Sequence, residues 1–148
     1  MTETETTMLA AKLLYSMDLE FNEPLVVPNG PKGGRAIVAV KGKVYGSALN
    51  GEIIAPSSDW ITLGADGILI GIDLNVVIRT KDVQPQLIYK HVIGRSMRDA
   101  DNPLNSTIRS GVTFEAPPGK YQYLNNKFVL GHGVKTGNKI TMHYYDTS

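Results

Sequence analysis

The chain has 148 residues, enough for one domain with a substantial core, and its 15 Lys+Arg against 14 Asp+Glu leave a formal charge of +1. So even a balance supplies neither the basic field of a duplex-binding surface nor a polybasic membrane patch. With no cysteine, disulfides, thiolate nucleophiles, cysteine-type zinc sites and iron–sulfur clusters are excluded.

Met1–Thr7 is polar and acidic, without the basic start and apolar run of a secretory signal. Residues 1–11 therefore read as a disordered leader to a cytoplasmic protein, and residues 12–148 as its single domain. Charges or glycines interrupt every apolar run before it reaches the ~18 residues of a membrane helix.

From Lys12 onward, short runs rich in Val, Ile, Leu, Tyr and Thr alternate with Gly, Pro, Asn and Asp, the pattern of strands and turns. The expected strands are Lys12–Phe21, Arg35–Val44, Ser47–Ile54, Asp59–Leu63, Ile68–Thr80, Pro85–Gly94, Thr107–Phe114, Tyr121–Leu124, Phe128–Lys135 and Lys139–Asp146. Glu23–Gly34 and Arg98–Ser106 read as long loops. About ten strands in one domain predict an all-β sandwich or closed barrel.

One hairpin can be put in register from the sequence. With Gly137-Asn138 as a type II′ turn, Thr136 pairs with Lys139 and His132 faces His143. Phe128, Leu130, His132 and Val134 then share a face with Thr141, His143 and Tyr145. Gly131, Gly133 and Lys135 share the other with Ile140, Met142 and Tyr144.

No phosphate loop, dinucleotide fingerprint, zinc-protease helix motif, EF-hand or nucleophile elbow occurs. Gly30–Gly34 is not followed by a helical pattern, so no helix N-terminus stands ready for a phosphate. The seven tyrosines are scattered rather than interleaved with basic residues, which argues against nucleic acid. His132 and His143 could share a metal ion, with Glu115 or His91 as third ligand, although nothing supplies tight ligand spacing.

Carboxylates carry more interest. Asp59 precedes Trp60, the only tryptophan, and Asp73 lies inside the apolar run Ile68–Ile78. There Ile68, Ile70, Ile72, Leu74, Val76 and Ile78 share the hydrophobic face. Asp73 and Asn75 lie on the other, lining either the solvent outside a barrel or a polar cavity within it. Glu115 ends a strand just before Pro117-Pro118-Gly119. Arg35 opens one after two glycines and could clamp an anion or carbonyl.

In their order along the chain, GGRAIVAVKGKVYGSALNGEIIAPSSDW (Gly33–Trp60), Asp66-Gly67, Asp73–Asn75 and FEAPPGKYQYLNNKFVLG (Phe114–Gly131) resemble the domain-of-unknown-function family 3237, also called uncharacterised protein family 0311. The likeness runs from about Leu13 to Tyr145. Ala55-Pro56-Ser57-Ser58 departs from the family's glycine-rich approach to Asp-Trp. Asn75 stands where the family usually has Arg, Ala116 where it has Thr, and Tyr123 where it has Trp. The resemblance implies a closed antiparallel β-barrel of lipocalin-like or allene-oxide-cyclase-like type with an internal pocket, and small-molecule enzymes that use no cofactor.

On this reading the protein is a cofactor-free isomerase, cyclase or lyase acting in biosynthesis on an organic metabolite. Asp59, Asp73 or Glu115 would be the acid or base and Arg35 the clamp for negative charge. Trp60, Tyr89, Tyr121, Asn125 and Asn75 would contact substrate. The alternative is a non-catalytic carrier of an apolar small molecule in the same barrel. Neither nucleic acid nor membrane is expected as a partner, and a homodimer is compatible with the sequence.

Overall fold

The computed structural model describes residues 4–66, 69–102 and 105–147. Residues 4–11 are exposed and outside the regular structure. Nine strands follow: β1 (Lys12–Phe21), β2 (Leu25–Gly30), β3 (Gly33–Tyr45), β4 (Gly51–Leu63), β5 (Leu69–Thr80), β6 (Leu87–Arg98), β7 (Asn105–Glu115), β8 (Val129–Thr136) and β9 (Lys139–Asp146). A short 3-10 helix, Gln122–Asn126, precedes β8.

Strands β3 to β9 form an antiparallel meander, and β1 pairs with both β9 and β3, closing eight strands into a barrel with no free edge between them. β2 is the ninth strand. It flanks the first half of β3, through Leu25↔Ile37 and Val27↔Arg35, while β1 takes the second half. Among the described residues no helix is long and apolar enough to cross a membrane.

The expected all-β barrel is correct, with nine strands rather than ten. The expected strands Ser47–Ile54, which begins only at Gly51, and Asp59–Leu63 are parts of one strand, β4, interrupted by a register shift between Ile54 and Ser58, where Pro56 has no N–H to give the ladder. Tyr121–Leu124 is a 3-10 turn, and the supposed loop at Glu23–Gly34 contains β2. The expected start of the fifth strand at Ile68, Gly67 of the Asp-Gly pair, and part of the Arg98–Ser106 loop lie outside the described residues.

The β8–β9 hairpin has the register read from the sequence, Thr136↔Lys139 and His132↔His143. Gly137 has φ of 63° while Asn138 keeps an ordinary negative φ, the combination of a type II′ turn. Gly131, Gly133, Ile140, Met142 and Tyr144 are buried inward, and both histidines face out. In β5, Ile72, Leu74, Val76 and Ile78 point into the barrel, so Asp73 and Asn75 point away from it.

The two barrel ends differ. Tyr121 and Leu124 close one end, packed into the main core with Leu49, Phe114 and Val129. At the other, Ala36, Val38 and Ile61 form a separate small cluster with Phe21, Leu63 and Leu69 around it.

Candidate functional site

Inside the barrel, inward positions that alternation would fill with aliphatic residues instead carry Asp59 on β4, Lys90 on β6 and Ser110 on β7, with Tyr15 on β1 and Tyr144 on β9. Asp59 is 1% exposed. Its Oδ1 accepts the backbone N–H of Asp73 at 3.2 Å. Withdrawal from water pushes the Asp59 carboxyl up to about 7; backbone N–H groups of Asp73 and Trp60 oppose the rise, and the Asp73 charge adds to it.

Asp59, Ser110 and Tyr144 line a void of about 20 Å³ with Leu19, Ile72, Ile140 and other apolar groups, room for about one water. A roomier pocket of about 260 Å³ occupies the open mouth, bounded by Phe21, Ala36, Val38, Ile61, Leu63, Leu69, Lys135 and Asn138. The mouth takes the next inward residues of the same strands: Phe21 after Leu19, and Ile61 and Leu63 after Asp59. Asp59 therefore sits one step below an apolar opening. The 670 Å³ concavity elsewhere is larger, but Lys41, Lys43, Lys81, Lys139, Asp18, Glu20 and Glu52 line it with unburied charges of both signs, a solvated groove.

Lys90 is buried completely. Its Nζ lies 3.3 Å from the Tyr144 ring centroid and 4.8 Å from that of Tyr15, with the Met17 sulfur at 3.5 Å. Desolvation lowers its pKa well below that of a free lysine. The Tyr15 and Tyr144 rings stack at 4.8 Å, and both phenols are pushed upward, mainly by burial; neighbouring Tyr144 adds to the rise at Tyr15, and Asp59 to that at Tyr144. Tyr15 Oη and Ser110 Oγ have no hydrogen-bond partner among the described residues.

Of the candidate site residues named from the sequence, Asp59 and Tyr121 are buried, Asp59 within the barrel and Tyr121 at its closed end. Arg35, Trp60, Asp73, Asn75, Tyr89 and Glu115 share the outer face of β3 to β7. Several touch there: the Asp73 carboxylate meets His91 Nε2 at 2.8 Å, Asn75 Nδ2 donates to Asp73 at 3.4 Å, and Tyr89 donates to Asn75 Oδ1. Glu115 stands opposite Tyr89, and Trp60 Nε1 donates to Ser58 Oγ at 3.2 Å. Arg35 pairs across from Thr62 and Val27, apart from this strip.

Tyr121 and Asn125 lie at the closed end. Tyr121 donates to Asp82 at 2.7 Å and, with Lys120 and Thr80, holds that carboxyl down to about 2. Asn125 accepts from Ala116 N at 2.6 Å and donates to Ala116 O at 2.9 Å, so its amide ties the 3-10 turn to β7. His132 and His143 face each other outside, with His143 Nδ1 2.7 Å from Ser16 Oγ. Among the described residues no three His, Asp or Glu groups converge to hold a metal.

Sequence reasoning missed Lys90, Tyr15, Tyr144 and Ser110. For Lys90 the signal was present, since it is in phase with Ile88 and Val92.

Fold and interior together define a small closed antiparallel barrel with an apolar mouth and, among the described residues, one buried carboxyl set a step below it on the same strand. The chain belongs to the family described as Protein of unknown function (DUF3237), whose model matches residues 9–147. Its fold is similar to a protein of unknown function from Clostridium acetobutylicum ATCC 824, at 19% identity and a TM-score of 0.83, covering 97% of this chain and 100% of that one. A beta-barrel-like protein from Acinetobacter baumannii AYE aligns at 22% identity and a TM-score of 0.80, covering 97% and 99%. An enzyme from Penicillium herquei aligns at 20% identity and 0.65, covering 99% and 100%. No curated protein matches the chain.

Proposed function

We propose that the protein is a cofactor-independent enzyme of isomerase, cyclase or lyase type, which moves a proton on a small organic metabolite entering at the barrel mouth. The observation that supports this most is Asp59. A carboxyl titrating near 7 is present in both protonation states at neutral pH, so it can give or take a proton with little mismatch. The largely apolar wall shields Asp59 from bulk solvent, which strengthens electrostatic effects on a bound substrate. Asp59 would act as acid or base. Ser110 and Tyr144, on the same void, would donate hydrogen bonds to developing negative charge. The similar barrel of the Penicillium herquei enzyme, at 20% identity, also supports this reading.

Proton transfer at carbon leaves a label. A panel of enolisable ketones, keto acids and conjugated enones is incubated with the protein in D2O and read by mass spectrometry. At least one compound is expected to gain deuterium, and Asp59→Asn to slow that gain by about a hundredfold or more. Exchange unaffected by Asp59→Asn would overturn the assignment. Compounds that bind and return unlabelled from both proteins would favour the carrier.

A further inference from the structure

Lys135 is on β8 in phase with Gly131 and Gly133, facing the mouth pocket beside the hairpin turn. Among the described residues it is the only charged one lining that pocket. Its Nζ donates to the carbonyl of Gly137 and lies 5.9 Å from the Phe21 ring centroid, and no carboxylate among the described residues pairs with it. An ammonium has three donors, so two remain for other partners. Partial burial lowers its pKa, as expected of a cation drawn from water without a counter-charge. The other polar side chain at the rim with an assigned contact, Asn138, is engaged with Phe21 O at 3.4 Å.

We propose that the mouth pocket takes small amphipathic carboxylates, the anionic head against the Lys135 ammonium and the hydrocarbon body on Ala36, Val38, Ile61, Leu63 and Leu69. One lysine, with no arginine fork or helix N-terminus beside it, suits a singly charged carboxylate better than a phosphate. The volume of about 260 Å³ falls just under the ~300 Å³ lower end of drug-sized sites, which confines the body to a short chain or single ring. This names the substrate class for the enzyme proposed above and rests on that reading in taking the mouth as the way in.

Hexanoate and hexan-1-ol, alike in chain and different in charge, are titrated calorimetrically at low salt. Hexanoate is expected to bind about tenfold tighter or better, as befits a charge-assisted hydrogen bond. Lys135→Met keeps the apolar stem and should erase the preference while leaving the alcohol's affinity unchanged. Lys135→Arg should retain the preference, and so should Lys139→Met, which removes a surface charge outside this pocket. Equal binding of acid and alcohol, binding of neither, or a preference that survives in Lys135→Met overturns the proposal. Asp59→Asn separates the two readings: hexanoate binding without Asp59-dependent exchange sinks the enzyme and supports this site. Asp59-dependent exchange without hexanoate binding does the reverse.

Discussion

Asp59 links chemistry to stability through one proton. In the folded chain its carboxyl titrates near 7, against about 3.9 when unfolded, so between those values the native state holds a proton that the unfolded chain has released. Its contribution is therefore complete below about pH 4 and is lost as pH rises through 7, a loss of about 4 kcal/mol from a shift of about three units. Urea unfolding from pH 4.5 to 8 should show wild-type stability falling relative to Asp59→Asn; parallel curves would refute it. Asp82, held low, affects a different window, since its contribution is lost only as pH falls from about 4 toward 2. Lys90 has the opposite slope to Asp59. Its folded pKa is depressed, so the unfolded chain binds the extra proton and stability rises with pH toward about 10.4. Lys90→Met, similar in volume, should be more stable than wild type at pH 7 and lack that rise between pH 7 and 9. Above that range Tyr15 and Tyr144 add an opposing slope, because their phenols stay protonated in the folded state. A wild type more stable than Lys90→Met at pH 7 would mean that the ring contacts of a charged ammonium outweigh its desolvation.

Strand elements explain what could be read in advance. Where alternation is unbroken and a two-residue turn fixes the pairing, as in β8 and β9, the sequence specifies which side chains face inward, down to His132 opposite His143. Asp59 was harder, because the shift between Ile54 and Ser58 removes the continuous run by which its phase could be counted from Ile53. β2 escaped notice since LVVPNG ends in turn residues and its side chains are mostly exposed, as a strand outside the closed barrel allows. The outer strip shows another limit. Alternation places Asp73 and Asn75 on one face of β5, yet whether that polar face lines a cavity or the exterior depends on which face the other strands cover. Lys90 shares the phase of Ile88 and Val92, which marks it as interior despite its charge.

At the scale of the molecule, the barrel depends on the seam at which β1 meets β3, and the seam on Gly42. A Cβ built there would stand 2.0 Å from Asp18 O and 3.1 Å from Leu19 Cα, both backbone atoms of the partner strand. The strands can approach closely enough to pair from Ser16↔Tyr45 to Phe21↔Val40 because nothing projects from that position. Gly42→Ala should therefore lower the unfolding free energy by about 1–3 kcal/mol. Its amide-exchange signature should be local, with protection lost along residues 16–21 and 40–45 and kept in β5 and β6, which pair with each other away from the seam. Gly111 supplies the comparison: a Cβ there meets nothing nearer than Phe128 Cζ at 3.9 Å, so Gly111→Ala should change stability by no more than about 0.5 kcal/mol. Equal stability of the two variants would show that β1 can shift to admit a methyl group. Because Leu19 on that strand also lines the Asp59 void, opening the seam should admit water beside the carboxyl. The Asp59 pKa in Gly42→Ala should then fall from about 7 toward its ordinary value, a change that carbon-13 titration of the carboxyl would detect.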